Sequence, residues 1–174
     1  RGRYTDDIDI PGQAHLAILR SPHAHARIVS LDVAPARGAP GVIAVLTGHD
    51  AAADGIGLFP VQIEVPARAG TPPLYCPPRQ ILQTEAVRFV GDPVVAIVAE
   101  SRAQAEDALE LVAIEYEMLP AATDTATALD PATPVIWAER GSNLCVDWSN
   151  GREDQANAAF AAAAHVARIE LVQN

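Results

Sequence analysis

Aromatic side chains are scarce in this chain, with three Phe, three Tyr and two Trp among 174 residues, and there is one Met. Ala, Val, Ile and Leu must therefore build the interior, and they supply most of a hydrophobic content of 49%. Bases are also few: 12 against 22 acids, a net charge of −10. A surface of that sign repels phosphate backbones and offers no basic stripe for counterion release, which argues against nucleic acid binding. Cys76 and Cys145 are far apart, without a CxxC pair or a His-rich companion. A disulfide between them is possible but unsupported, and two thiols alone cannot make a zinc or iron–sulfur site. No apolar run approaches the roughly 20 residues that cross a bilayer, and the polar start over 1–9 lacks the apolar centre of a signal peptide. A cytoplasmic location is the default expectation. Gly38, Gly41, Gly48, Gly55 and Gly57 do not space as a GxGxxG or P-loop cradle, and no Gly-x-Ser-x-Gly elbow surrounds Ser21, Ser101 or Ser142.

What is present is a succession of short elements. Residues 13–20, apolar and bounded by Pro11-Gly12 and Ser21-Pro22, read as a strand buried on both faces. A second strand is expected over 27–33, with Val29 and Leu31 on one face and Ile28 on the other; Ser21-Pro22-His23 is then a turn. A single helical turn fits 34–39, a third strand 42–47, and Asp50 can cap a brief helix after Gly48. Six prolines at 60, 66, 72, 73, 77 and 78 exclude any regular element between them. That stretch reads as an ordered surface excursion in preference to an inter-subunit contact. Strand-like runs at 87–90 and 93–99 flank Gly91-Asp92, the second apolar enough to be a central strand. Ser101 and Gln104 form a capping box for a helix whose core face is Ala105, Ala108, Leu109 and Val112. From Val112 the period changes to two, which predicts a strand through Met118 with one wet face, ended by Pro120. Residues 121–134 resemble a linker. A second helix is expected over 154–164, with Ala156, Ala159, Phe160 and Ala163 on one face, then a strand from His165 to Val172 cut off in mid-pattern, as in a fragment.

Candidate sites are thin. His23 and His25 lie on one side of an extended segment, but a metal needs three or four ligands, and Asp6, Asp7, His15 and His49 are only conceivable partners. Turn histidines are the favoured reading. Asp6, Asp7 and Asp9 read as a solvated loop whose carboxylates accept backbone N–H bonds, in preference to a catalytic pair or cation site. Arg79 and Arg88 can clamp an anionic group, although the excess of acids favours ordinary ion pairs for both. The cysteines have no neighbouring His or Lys to activate them.

Several of these pieces occur together in one order: Gly2-Arg3-Tyr4-Thr5-Asp6-Asp7, Arg20-Ser21-Pro22-His23-Ala24-His25-Ala26-Arg27-Ile28, Pro40-Gly41-Val42, and Val87-Arg88-Phe89-Val90-Gly91-Asp92-Pro93 leading to Ala103-Gln104-Ala105-Glu106-Asp107-Ala108-Leu109. The set resembles the large, molybdenum-binding subunit of the xanthine dehydrogenase, aldehyde oxidase and carbon monoxide dehydrogenase family. The resemblance implies an α+β fold over 1–122, the α/β hammerhead, as a mixed twisted sheet with helices on one side. It further implies a linker over 123–150 and, at 151–174, the first helix and strand of a truncated molybdenum-cofactor domain. For the parent protein it implies hydroxylation of an aldehyde, purine or N-heterocycle, or oxidation of carbon monoxide, using a molybdopterin cofactor. Electrons then leave through [2Fe–2S] and FAD groups on other domains or subunits, which are the implied partners together with the rest of the large subunit. The family's Gly-rich and Gln-containing cofactor loops and its Gly-x-Gly-Glu base segment do not occur here, so no catalytic, cofactor-binding or metal residue is carried over. The expectation is a scaffold segment, inactive by itself. The alternative is a free-standing interaction module on the same scaffold, since fold does not fix function.

Overall fold

The computed structural model describes residues 2, 4–5, 8, 10–61 and 64–171; the predicted acidic loop at Asp6, Asp7 and Asp9 lies outside them. The elements in chain order are β1 (His15–Arg20), β2 (Ala26–Asp32), α1 (Ala34–Arg37), β3 (Val42–Thr47), α2 (Gly48–Ala53), β4 (Ala86–Val87), β5 (Pro93–Ala99), α3 (Arg102–Leu109), β6 (Ala113–Met118) and α4 (Glu153–Ala162). The α+β class holds. In place of one mixed sheet there are two antiparallel ones, in strand orders β1-β5-β3 and β4-β2-β6. The chain divides into two compact units, one of residues 1–62 and 76–144, the other of residues 63–75 and 145–174.

Strand β5 is central, as its unbroken apolar run predicts, with Val94, Val95 and Ile97 fully buried. Strand β1 is an edge strand and not buried on both faces: Leu16 is exposed. The core of the first unit takes Ala26 and Val87 from one sheet and Val45, Val94, Val95 and Ile97 from the other, with Val33, Ala36 of α1 and Ala108 of α3. Small side chains let α3 approach the β1-β5-β3 sheet closely, which offsets the scarcity of aromatics.

Two bulges break the expected alternation. In β2, Ile28 pairs with Tyr116 and Ser30 with Glu115, so Val29 has no partner and faces outward. The extra residue shifts the parity, and Leu31 packs on the core with Ile28, not with Val29. In β3, the register moves from Val42 opposite Ala99 to Ala44 opposite Val98, which leaves Ile43 exposed.

The helix ends follow side-chain chemistry. Ser101 Oγ accepts from Gln104 N, as a cap should, but the Gln104 amide oxygen accepts from the Ser101 hydroxyl and not from a backbone N–H. For α2 the cap is Thr47, not Asp50. Asp50 stands at the third helical position, where its carboxylate accepts from Thr47 N at 2.8 Å while Asp50 N donates to Thr47 Oγ1 at 3.3 Å, a complete capping box.

Two strand expectations fail for lack of a pairing partner. The run 87–90 is cut to Ala86–Val87, and because β4 joins β2 while β5 joins β1 and β3, Gly91-Asp92 turns the chain between sheets and is not a hairpin. Strand β6, by contrast, runs through Met118 as expected and pairs it with Ala26, although the Met118 side chain is exposed. Among the described residues, 165–171 form no strand, and Val172 lies outside them. Residues 121–144 are irregular but braced by Asn143, whose side-chain amide donates to Ala128 O and Pro134 O at 2.9 Å each and whose Oδ1 accepts from Ile136 N at 3.0 Å. Within the second unit the Pro-rich excursion is tied down at Arg68, whose N donates to Asp147 O at 2.8 Å and whose guanidinium pairs with the Asp147 carboxylate at 3.4 Å, and at Tyr75, whose N donates to Cys145 O at 2.8 Å.

Candidate functional site

The two motifs at Arg20-Ser21-Pro22-His23 and Val90-Gly91-Asp92-Pro93, some 70 residues apart, meet at one place in the first unit. Ser21 N donates to Asp92 O and Gly91 N to Ser21 O, each at 2.8 Å, and Arg20 Nη1 donates to Gly91 O at 2.9 Å. Gly91 supplies the positive φ of +93° that the turn requires. Ser21 Oγ accepts from His23 N at 3.0 Å and donates to His23 O at 3.2 Å, closing the turn, so this hydroxyl has a structural task.

Asp92 is buried, 2% exposed, and its carboxylate is divided between two donors: Gln83 Nε2 at Oδ1 and Arg88 N at Oδ2, both 2.9 Å. Desolvation raises its pKa above the ordinary carboxylate range, and the bonds from Arg88 and Gln83 oppose that rise. The Tyr116 hydroxyl is buried nearby without a partner in hydrogen-bond geometry. Its pKa is raised first by desolvation and further by the Asp92 charge, with Ser21 opposing. His23 meets the Tyr116 ring edge to face, centroids 4.8 Å apart, and His25 Nδ1 lies 2.7 Å from Pro120 O. The two histidines are thus engaged with different partners. Among the described residues no three His, Cys, Asp or Glu side chains gather as a metal ligand set. Cys76 and Cys145 are both free.

Beside Asp92 opens a cleft of about 350 Å³ lined by Arg20, Arg79, Gln80, Arg88, Phe89 and Trp137, among others. Arg88 and Arg79, for which ordinary ion pairs were favoured over an anion clamp, both line this cleft. Such ion pairs are not realised for either: among the described residues, pairs form at Arg27–Glu117, Arg37–Asp50, Arg68–Asp147 and Arg102–Glu106. Arg88 instead lies over the Trp137 ring, 4.0 Å from its centroid, with Nε buried and unpartnered. Sequence reasoning missed Arg20, Gln83 and Trp137 as members of this site. In a chain with two Trp, the placement of Trp137 at the end of a short apolar run, Val135-Ile136-Trp137, within an irregular stretch was the one available signal.

Residues 1–120 match the family model described as aldehyde oxidase and xanthine dehydrogenase, a/b hammerhead domain. The chain is 34% identical to the carbon monoxide dehydrogenase large chain of Afipia carboxidovorans, over 97% of this chain and 21% of that one. It is 38% identical to the nicotine 6-hydroxylase large subunit of Paenarthrobacter nicotinovorans, over 95% of this chain and 19% of that one. Among solved structures, Cu,Mo-CO dehydrogenase superposes with a TM-score of 0.70 at 32% identity, covering 94% of this chain and 21% of that one. Quinoline 2-oxidoreductase from Pseudomonas putida 86 does so with a TM-score of 0.63 at 44% identity, covering 75% of this chain and 16% of that one. The chain thus spans about a fifth of the length of the curated relatives it matches. With the family model covering more than half of its residues, the chain belongs to the aldehyde oxidase and xanthine dehydrogenase α/β hammerhead family.

Proposed function

We propose that this chain is the scaffold segment of the large subunit of a molybdenum hydroxylase, and that the chemistry belongs to the remaining four fifths of such a subunit. The observation that carries the reading is the match over 1–120 to a hammerhead domain combined with relatives that are large chains or subunits. The same comparisons favour the subunit over a free-standing interaction module. The parent would hydroxylate an aldehyde, purine or N-heterocycle, or oxidise carbon monoxide, with a molybdopterin cofactor and with [2Fe–2S] and FAD groups on partner domains or subunits. In this reading the residues of this chain take no catalytic step. Its part is mechanical: the Ser21–Asp92 junction, held by backbone bonds, fixes two sheets as a rigid block on which a larger domain can be mounted.

Within this reading the hammerhead spans 1–122, residues 123–150 connect it, and 151–174 begin the cofactor domain. No described helix is long and apolar enough to cross a membrane, and a cytoplasmic site of action is part of the proposal. Purification of the natural subunit tests it. Molybdenum in the preparation, with an iron–sulfur and a flavin protein or domain accompanying it, is the expected result, and His23→Ala with His25→Ala leaves the molybdenum content unchanged. A subunit that carries neither metal nor redox partners overturns the proposal.

A further inference from the structure

Every cationic side chain in this chain is arginine, since the sequence contains no lysine. Arginine is the cation that recognises planar oxyanions through two parallel N–H bonds. Three of these arginines, Arg20, Arg79 and Arg88, line one cleft in a chain of net charge −10, although acids outnumber bases almost two to one. None of the three is in an ion pair among the described residues.

Their positions are set by the fold. Arg20 is held by its bond to Gly91 O, and Arg79 by its own carbonyl, which accepts from Phe59 N at 2.9 Å. Arg88 is fixed from both sides: its backbone N–H is bound to Asp92 and its guanidinium plane rests on Trp137. Stacking occupies the face of the guanidinium and leaves its edge, with the Nε–H, for hydrogen bonding. That Nε is buried and has no acceptor. A buried donor without a partner carries its desolvation cost uncompensated, so native proteins rarely leave one unfilled.

The acids nearby do not fill this role. Asp92 also lines the cleft and its charge is felt by Arg88 and Arg79, but it forms no ion pair with either among the described residues, and its two oxygens accept from Gln83 and from the Arg88 N–H. Glu85 lines an adjoining 250 Å³ cavity with Arg88 and Trp137, yet is in no ion pair with Arg88 among the described residues. The cleft walls, Phe59, Phe89, Pro78 and Ile81, suit the apolar stem or ring that carries a carboxyl group.

We infer that the cleft between Arg20, Arg79 and Arg88 is a carboxylate-binding site, in which the Arg88 guanidinium, held on Trp137, meets a carboxyl group and Arg79 adds charge. The carboxyl is supplied either by an acidic side chain of the remainder of the large subunit or by a free small acid. The site stands on the arginines and Trp137 alone, independently of any redox role of the parent.

The test uses Trp137 as reporter. In the full 174-residue chain carrying Trp148→Phe, sodium acetate is titrated against tryptophan fluorescence, with sodium chloride and sodium phosphate at matched ionic strength. The expected result is a saturable change with acetate in the millimolar range, absent with chloride and weaker with phosphate. Arg88→Gln and Arg79→Gln each lower the acetate affinity at least tenfold, and Arg88→Lys does not restore it, because an ammonium lacks the fork. Arg79 is exposed, so its variant remains informative if Arg88→Gln fails to fold. The same titration on the natural large subunit separates the sources. Loss of the acetate response there assigns the carboxylate to a side chain of that subunit, and a retained response assigns it to a free acid. Absence of saturation in the 174-residue chain, tighter binding of phosphate than of acetate, or an acetate affinity unchanged from the parent in the two glutamine variants overturns the inference.

Discussion

The side-chain amide of Gln83 donates to the buried carboxylate of Asp92 at 2.9 Å, and this bond joins the segment entering β4 to the start of β5. It works beside a backbone bond from Gln83 N to Pro93 O at 2.8 Å, so both ends of Gln83 hold the same turn. Asp92→Ala strips an acceptor from two donors at once, the Gln83 amide and the Arg88 N–H, and leaves a void where the carboxyl was. Unsatisfied buried donors cost about 1–3 kcal/mol each, and the expected loss is about 3 kcal/mol. Asp92→Asn is milder, near 1 kcal/mol, because the Gln83 amide can turn over to present its oxygen while the carbonyl of the new residue still meets Arg88 N. Urea unfolding midpoints of the two variants check the order; equal losses would show that the hydrogen bonds contribute little.

Asp92 and Asp50 should move stability in opposite directions with pH. Burial raises the folded pKa of Asp92, so its contribution is fully present below the unfolded carboxylate range and is lost as pH rises through the folded value. Asp50 is the reverse. The hydrogen bond from the Thr47 hydroxyl, then that from Thr47 N, lowers its pKa, so its contribution is present above about pH 4 and disappears as pH falls through the folded value. The destabilisation caused by Asp92→Asn therefore shrinks as pH rises above about 4, while that caused by Asp50→Asn grows as pH climbs towards about 4 from below. Denaturant midpoints of each variant against the parent, taken at intervals of pH, would reveal both slopes. Parallel slopes would refute the assignment of opposite shifts.

The fold was legible wherever a local rule decided the outcome. The unbroken apolar run of β5 and the Ser101 cap needed no knowledge of distant residues. The bulges at Val29 and Ile43 did, because the parity of a strand changes only when its partner is known, and nothing in the local sequence marks the extra residue. The same holds for the failed strand at 165–171, whose backbone groups can form a ladder only with another strand. At the cleft, Arg79 and Arg88 could be named from residue type only as a candidate clamp, behind the favoured reading of ordinary ion pairs. Their company could not: Arg20 and Trp137 lie 59 and 58 positions from Arg79, and only the Ser21–Asp92 junction and the path of residues 121–144 bring them there.

Gly41 is a position where no other residue fits. Its φ is +75°, a left-handed conformation that L side chains rarely adopt, and a Cβ built there would collide with the side chain of Gln104. Gln104 is itself engaged with the cap of α3 through the Ser101 hydroxyl at 2.8 Å. Gly41→Ala thus strains the turn into β3 and expels Gln104 from the helix start, with an expected loss of about 2–3 kcal/mol from the backbone and the cap together. A double substitution, Gly41→Ala with Gln104→Ala, recovers about 1 kcal/mol by removing the clash but not the strain. Failure of the second change to recover any stability would place the whole cost in the backbone.

Helix α4 has the weakest support of any helix in the chain. It is ten residues long, its N-terminus at Arg152 lacks a side-chain cap, and none of its side chains is buried, with Phe160 itself 64% exposed. Glu153 and Asp154 in the first turn favour it by only a few tenths of a kcal/mol, since a helix dipole acts weakly on exposed charge. Helices shorter than about 12–15 residues are marginal in water without tertiary contacts. Amide exchange in the 174-residue chain should therefore be within about tenfold of intrinsic rates across Glu153–Ala162, whereas the buried amides of β5 exchange only through global opening. Protection of α4 comparable with that of α3, which buries Ala105 and Ala108, would mean that the Ala156, Ala159 and Phe160 side chains find a packing surface within the chain itself.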